Sequence, residues 1–483
     1  FLDRAISETE RFSKTGSFMK QYKISNVSIV KMMALFSASM LFTPWAAAEN
    51  LLDVYKTAKD NDAILGAANA SFAASKELVP QARSSLLPSI GAQTNTSKIN
   101  RDILLGGQAV LGEEYNDNSW NAQLRQPVLN LASWYTLGSA KSSVEAASMQ
   151  LEAESQDLIV RVIEAYLNIL RTKDRLDTTS AEVTAVQRQL EQVQQRFEVG
   201  LVAITDVLES QAVYDSTVVR RIQAESDHDI SFETLSTLTG RSYDQLARLS
   251  QTLPIVDPNP KNEEEWVATA LRSNLGIKAA TAQLAAARSD VRARRSDHLP
   301  TIDATATYAE NVTGGQNFFG ANAGDTTTEN TIYALSLTVP LYQGGAIRSR
   351  VREANARVAQ SQEQLLNQKR TVTRNTRNLF KSVATDVVRV EARLKAIRSS
   401  QSALEATETG YEVGTRNIVD VLQAQQRLFS SQFDYADSRY NYVLNLMRLK
   451  QATGKLTQED LQELNQFVDD GDLVERVVSL RLR

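Results

Sequence analysis

The chain has 483 residues, 42% of them hydrophobic and 7% aromatic, with 57 acidic against 53 basic side chains and a net charge of −4. That is enough apolar material for a core, but it offers no basic field for phosphates, so a nucleic-acid partner is excluded. The absence of cysteine removes disulfides, thiol nucleophiles and thiolate metal sites, and two isolated histidines, His228 and His298, read as ordinary polar residues.

The first predicted element is a leader. Residues 1–18 precede Met19 and read as an upstream extension without a structural role. Residues 19–48 carry Lys20, Lys23 and Lys31, then the apolar run MMALFSASMLF, then Ala46, Ala47 and Ala48. Basic, apolar and small-residue regions in that order predict a secretory signal peptide cleaved after Ala48. The apolar run is too short for a spanning helix, which needs about 20 residues. The chain from Glu49 onward is expected to be exported.

Four segments then alternate with period 2. Residues 119–129 put Trp120, Ala122, Leu124 and Val128 opposite Asn121, Gln123 and Arg125. Residues 301–309 put Ile302, Ala304, Ala306 and Tyr308 opposite Thr301, Asp303, Thr305 and Thr307. Residues 331–341 put Tyr333, Leu335, Leu337, Val339 and Leu341 opposite Ser336 and Thr338, and residues 89–98 repeat the pattern weakly with Ile90 and Ala92. Such alternation over about ten residues is that of a transmembrane β-strand, lipid on one side and water on the other. It predicts two hairpins, 88–129 and 299–342, with polar, Gly-rich connecting loops and with Trp120, Tyr308 and Tyr333 as membrane-interface aromatics. Pro88, Pro127, Pro300 and Pro340 stand where strands meet helical neighbours.

The segments between are helical. Residues 131–199 contain no proline and one glycine, Gly138, which predicts one helix of roughly 65 residues and roughly 100 Å. Leu151, Ser155, Leu158, Val162, Ala165, Ile169, Thr172 and Leu176 form a heptad seam, and Ile159, Ile163, Tyr166 and Leu170 form a second stripe beside it. Two stripes predict helical neighbours on two sides, as in helices rolled into a tube.

The chain also repeats itself. RFEVGLVAITDVLES at 196–210 matches GYEVGTRNIVDVLQA at 410–424, pairing Gly200 with Gly414 and Asp206 with Asp420 at a spacing of 214. Gly240 pairs with Gly454 at the same spacing, and Pro88 with Pro300 at 212. A register this constant indicates duplication: a first repeat over 49–254, a second over 255–467, and a C-terminal tail over 468–483. Four strands cannot close around anything, because small barrels already need about eight. Open edges cannot stand in hydrocarbon, so the chain is expected to oligomerise.

These residues carry a resemblance. FEVGLVAITDV, DHLPTIDATA, the PLYQGG run at Pro340, YEVGTRNIVDVL and DSRYNYVLNLMRLKQATGKL are similar to outer-membrane efflux channels of the TolC family, over nearly the whole chain from Glu49. The resemblance implies a mixed α/β membrane protein. Its homotrimer would form a 12-stranded transmembrane β-barrel, four strands per chain, continuous with a long coiled-coil helical tunnel in the periplasm. Residues 49–76, 251–273 and those after Lys455 would form an equatorial belt. It implies a passive exit channel of tripartite efflux pumps and type I secretion systems. Partners would be a periplasmic adaptor and an inner-membrane transporter of RND, ABC or MFS type. No enzymatic activity, cofactor or metal is implied. At the closed periplasmic end, Tyr411 and Arg416 would link to Thr205 and Asp206, and Asp420 would form an anionic ring. Gln423 stands where the family pattern has a second acidic residue, and Glu209 is expected to replace part of the lost charge from the neighbouring helix. The turns at Val199, Gly200 and Leu201 and at Val413, Gly414 and Thr415 would meet the adaptor.

Two rivals are weaker. A periplasmic helical-hairpin adaptor would share the long helices but would not need two amphipathic β-hairpins. A secreted enzyme would need a convergent catalytic set, and the GG pairs at Gly106, Gly314 and Gly344 are turn material.

Overall fold

The computed structural model describes residues 49–477, apart from 251, 316, 319, 320 and 323. The expected signal peptide and upstream extension lie outside the described residues. In chain order the elements are α1 (Leu51–Asn61), α2 (Ala63–Lys76), α3 (Leu78–Ser84), β1 (Ser89–Leu105), β2 (Gln108–Leu129), α4 (Leu131–Glu198), α5 (Ile204–Thr239) and β3 (Gln245–Leu249). Next come α6 (Glu263–Ser273), α7 (Leu275–Ser296), β4 (Thr301–Thr313), β5 (Asn317–Phe318), β6 (Ala321–Asn322), β7 (Thr326–Thr338), α8 (Ala346–Glu412), α9 (Ile418–Ala452), α10 (Gln458–Asn465) and β8 (Val468–Glu475). No described helix is long and apolar enough to cross a membrane.

The two hairpins join into one antiparallel sheet ordered β1-β2-β4-β7. Its register sets the apolar stripes side by side. Ile90 faces Leu124, Leu124 faces Ala306, and Ala306 faces Tyr333. Leu335 and Leu337 extend the same face opposite Ala304 and Ile302. Gln123, Arg125, Asp303 and Thr305 occupy the other face, where Arg125 pairs with Asp303 at 3.1 Å. Ile332, opposite Thr307, is an apolar exception on the polar side.

The first connecting loop corrects the sequence expectation. Pairing continues from Leu105 straight to Gln108, so only Gly106 and Gly107 turn, at φ 63° and 88°. Two positive φ values in a two-residue loop match the strand twist, and only glycine adopts both without steric cost. The apparently polar loop is mostly strand because its backbone can pair on the sheet regardless of side-chain polarity.

The long helix α4 runs for 68 residues and α8 for 67. α5 packs on α4, α4 on α9 and α9 on α8, a row in which α5 and α8 are the outer members. Both predicted stripes are buried around the middle of α4: Leu158, Val162 and Ile169 on one, Ile163, Tyr166 and Leu170 on the other. They meet Leu51, Val54 and Tyr55 of α1, Leu246 and Leu249 of β3, and Val443, Met447 and Leu449 of α9. The expected tail is no loose end. Its strand β8 pairs with β3, and Val474 joins the core. Leu461 and Leu464 of α10 join the same core.

The duplication survives in the joints. Asp62 caps α2 by accepting from Leu65 N–H at 2.6 Å, and Asn274 caps α7 by accepting from Ile277 N–H at 3.1 Å. Gly240 ends α5 beside Asn61, and Gly454 ends α9 beside Ser273. The halves differ where α2 and α3 replace the unbroken α7. Pro80 lacks the N–H that would continue the helix from Lys76, whereas Arg292 stands at the matching place in α7.

His228 ties these parts together. It is fully buried, with Nδ1 3.1 Å from the Thr172 hydroxyl and Nε2 3.0 Å from the Glu475 carbonyl. Burial lowers its pKa, outweighing the Glu475 carbonyl and Asp177 and Asp229, which raise it; Lys173 adds to the lowering. The folded chain therefore favours neutral His228 more than the unfolded chain does. As pH falls below about 6.5, the unfolded chain gains a proton that the folded one refuses, and stability drops by up to about 1.4 kcal/mol per pH unit until the folded group also titrates. Urea midpoints at pH 7.5 and pH 5 are expected to converge for His228→Gln relative to wild type. Equal pH sensitivity in both proteins would count against this role.

Candidate functional site

The helix tips are built by the same turn twice. In the first, Gly200 N–H donates to Phe197 O at 2.9 Å and Leu201 N–H to Arg196 O at 2.8 Å. In the second, Gly414 N–H donates to Tyr411 O at 3.1 Å and Thr415 N–H to Gly410 O at 2.8 Å. Each pair closes a Schellman motif, which requires a left-handed residue just past the helix end. Gly200 and Gly414 supply it at φ 76° and 78°. The turns then present Val199, Leu201 and Val413 to solvent at 69%, 72% and 69% exposure, beside exposed Thr415.

The helix starts beyond the two turns differ between halves. Asn417 accepts from Asp420 N–H at 2.8 Å, and Asp420 accepts in return from Asn417 N–H at 3.4 Å, a capping box that starts α9. Ala203, the counterpart of Asn417, gives α5 no side-chain cap. Asp206 and Asp420 both lie in first turns, where a helix dipole favours carboxylates. Below them, Val186 and Val193 of α4 cluster with Leu404, Ile418, Val421 and Leu422, which seats the second tip against α4.

The residues expected to form gate links do not meet within one chain. Arg416 lies 3.8 Å from Asp420, its own helical neighbour, and the Tyr411 hydroxyl is buried without a partner among the described residues. Thr205 and Asp206 begin α5, while Tyr411 and Arg416 end α8 and its turn, and these are opposite ends of the helix row. Gln423 accepts from Arg427 at 3.5 Å and is exposed. Glu209 is exposed and makes no ion pair among the described residues.

The sheet holds the expected aromatics. Trp120 and Tyr308 pack at a 47° tilt with centroids 5.2 Å apart, Trp120 Nε1 donates to Glu310 at 2.9 Å, and Tyr333 is 81% exposed. Sequence reasoning missed Trp134 and Tyr342, both well exposed at the helical end of the sheet. They lie just outside the alternating segments, so a search confined to strands passes over them. Aromatics at both ends of an apolar band are the pattern of two membrane–water interfaces.

Beside the core, Tyr440 donates to Asp174 at 2.6 Å, and Arg248 stands 3.5 Å from Asp174 and 3.1 Å from Asp177. Burial raises the Asp174 pKa despite Tyr440 and Arg248, and burial together with Asp174 raises Tyr440 well above the usual tyrosine value. This network joins α4, β3 and α9 with every charge answered, which is structural chemistry rather than a reactive centre.

Comparison with known proteins accords with this architecture. The outer membrane efflux protein family matches residues 54–241 and 266–455, one stretch in each half. The chain is 35% identical over 437 residues to outer membrane protein TolC of Vibrio cholerae, covering 90% of this chain and 98% of that protein. It is 27% identical over 440 residues to the proteases secretion protein PrtF of Dickeya chrysanthemi, covering 89% and 94%. Its fold matches the crystal structure of the outer membrane protein VceC of Vibrio cholerae with a TM-score of 0.70 at 17% identity, over 84% of this chain and 96% of that one. Matched in both halves and aligned nearly end to end with outer-membrane relatives, the chain belongs to the outer membrane efflux protein family.

Proposed function

We propose that three copies of this chain form one continuous exit duct, a passive conduit across the outer membrane that opens at its periplasmic end when a partner engages the tips. The observation that carries this reading is the pair of open edges at each level. β1 and β7 each have one neighbour in the sheet, and α5 and α8 each end the helix row. A β-edge of 17 residues cannot stay unpaired in hydrocarbon. Two copies would give eight strands, a barrel about wide enough for its own side chains; three give twelve and leave a lumen. The same closure sets α8 of one copy beside α5 of the next. It thereby brings Tyr411 and Arg416 toward a neighbour's Thr205 and Asp206.

Threefold closure also gathers Asp420 and Glu209 near one axis, where repeated carboxylates favour cations. The exposed apolar tips suit helical hairpins of a periplasmic adaptor, itself coupled to an inner-membrane transporter. The name of the efflux family and that of the PrtF relative support efflux and protein secretion as the two uses of such a duct. A lone adaptor accounts less well for a four-stranded sheet with one continuous apolar face.

Purified protein in planar bilayers tests the reading. Wild type is expected to show low single-channel conductance and cation preference, and Asp420→Ala a higher conductance. Glu209→Gln is expected to shift the reversal potential toward that of a non-selective pore. A wild-type protein that never permeabilises the bilayer would sink the duct; an unmoved reversal potential would sink the role of Glu209.

A further inference from the structure

The two tip turns differ at the residue three places before the turn cap. The first has Arg196 there and the second has Gly410, 214 residues later. At Gly410 the turn's own side chains fill the place a side chain would take, since a Cβ would stand 2.8 Å from Arg416 Cγ and 3.3 Å from Thr415 Oγ1. Arg196 has room and uses it to cross to the other hairpin. Its Cζ lies 5.0 Å from the centroid of the Tyr411 ring.

The pair spans a groove of about 770 Å³ between the lower ends of α4 and α8, lined also by Gln189, Gln192, Glu408 and Gln425. Gln425 Oε1 and the Tyr411 hydroxyl are buried in this region without partners among the described residues. The hydroxyl of Tyr411 is thus idle within the chain, and its ring face makes the contact across the groove. A planar guanidinium suits that surface, because it stacks on an aromatic face while keeping its N–H groups in water.

We propose that Arg196 is a positioning residue of the gate: by stacking on Tyr411 it clasps the α8–α9 turn to the end of α4 and holds each tip in the closed arrangement. The proposal rests on the duct reading above. The contact exists only while the tip lies against α4, so it stabilises that state alone, which is the condition for shifting a two-state equilibrium. The duplication explains why one clasp serves two tips. Arginine in the first turn reaches out, and glycine in the second lets Arg416 fold over its own turn.

Single-channel recording of the full-length purified protein tests it, with thermal melting measured on the same samples. Arg196→Ala is expected to raise the open-state population about fivefold per subunit, the factor that about 1 kcal/mol of partly exposed cation–π contact represents. Arg196→Lys should fall between wild type and Arg196→Ala. Tyr411→Leu should have at least the effect of Arg196→Ala, the double variant should match Tyr411→Leu alone, and Tyr411→Phe, which keeps the ring face, should have a distinctly smaller effect than Tyr411→Leu. Unchanged conductance in Arg196→Ala, or a double variant equal to the sum of the singles, would overturn the clasp. So would a change in melting temperature without a change in conductance. Wild-type protein that conducts nothing would instead overturn the duct itself.

Discussion

Arginine in place of Leu335 is expected to abolish outer-membrane assembly. Leu335 lies on β7, 71% exposed in the single chain, between Tyr333 and Leu337 on the apolar face and opposite Ala304. If that face meets lipid, a charge near the middle of the band costs about 2–4 kcal/mol per chain. That is a large fraction of the modest stability of one folded unit. Arginine in place of Gln123, on the opposite face, should be tolerated because water fills that side. The measurement is the yield of heat-sensitive trimer in outer-membrane fractions. Equal yields for both variants would mean the apolar face does not meet hydrocarbon.

The second large effect concerns Gly454. Alanine there must adopt φ 68°, and its Cβ would stand 2.5 Å from the Ser273 carbonyl oxygen and 3.0 Å from its carbon. A left-handed backbone costs an L-residue about 1–2 kcal/mol, and overpacking against fixed atoms adds about 1–3 kcal/mol. The neighbour cannot yield cheaply, because Asn274 binds the Ala452 carbonyl at 2.9 Å and caps α7 at the same point. Gly240→Ala is the internal control. Its φ of 72° carries the same backbone cost, but the nearest atom, Asn61 Cβ, is 3.5 Å away. Urea unfolding should therefore show Gly454→Ala as the more damaging of the two by at least about 1 kcal/mol. Equal losses would mean that the α6–α7 joint gives way.

Gly240 and Gly454 occupy equivalent places in two halves that are legible in the chain itself. The constant spacing of Gly200 and Gly414, or of Gly240 and Gly454, reports that the same positive-φ turn is needed twice. Local backbone geometry is written in single residues. The alternation around Leu124, Ala306 and Leu335 reports a sheet with unlike faces, and the stripes through Leu158 and Tyr166 report a helix buried on two sides. Periodicity carries that information because side chains repeat every 2 residues along a strand and every 3.6 along a helix.

Other features could not be read ahead. The first hairpin continues through a segment that looks like loop, since backbone pairing depends on the partner strand rather than on side-chain polarity. The supposed tail closes a sheet with β3 across more than 200 residues, and no local signal encodes such a partner. At the tips, the chain displays Tyr411 and Arg416 in a string that invites pairing with Thr205 and Asp206. Only the packing of α4 against α9 decides that, within one chain, Tyr411 lies under Arg196 while Arg416 turns back toward Asp420. The sequence by itself determined the duplication, the element types and the two faces of the sheet, because each depends on residues close together along the chain. The tertiary structure alone decided which edges remain open and which side chains meet across the groove, because those depend on distances between segments that the order of residues does not contain.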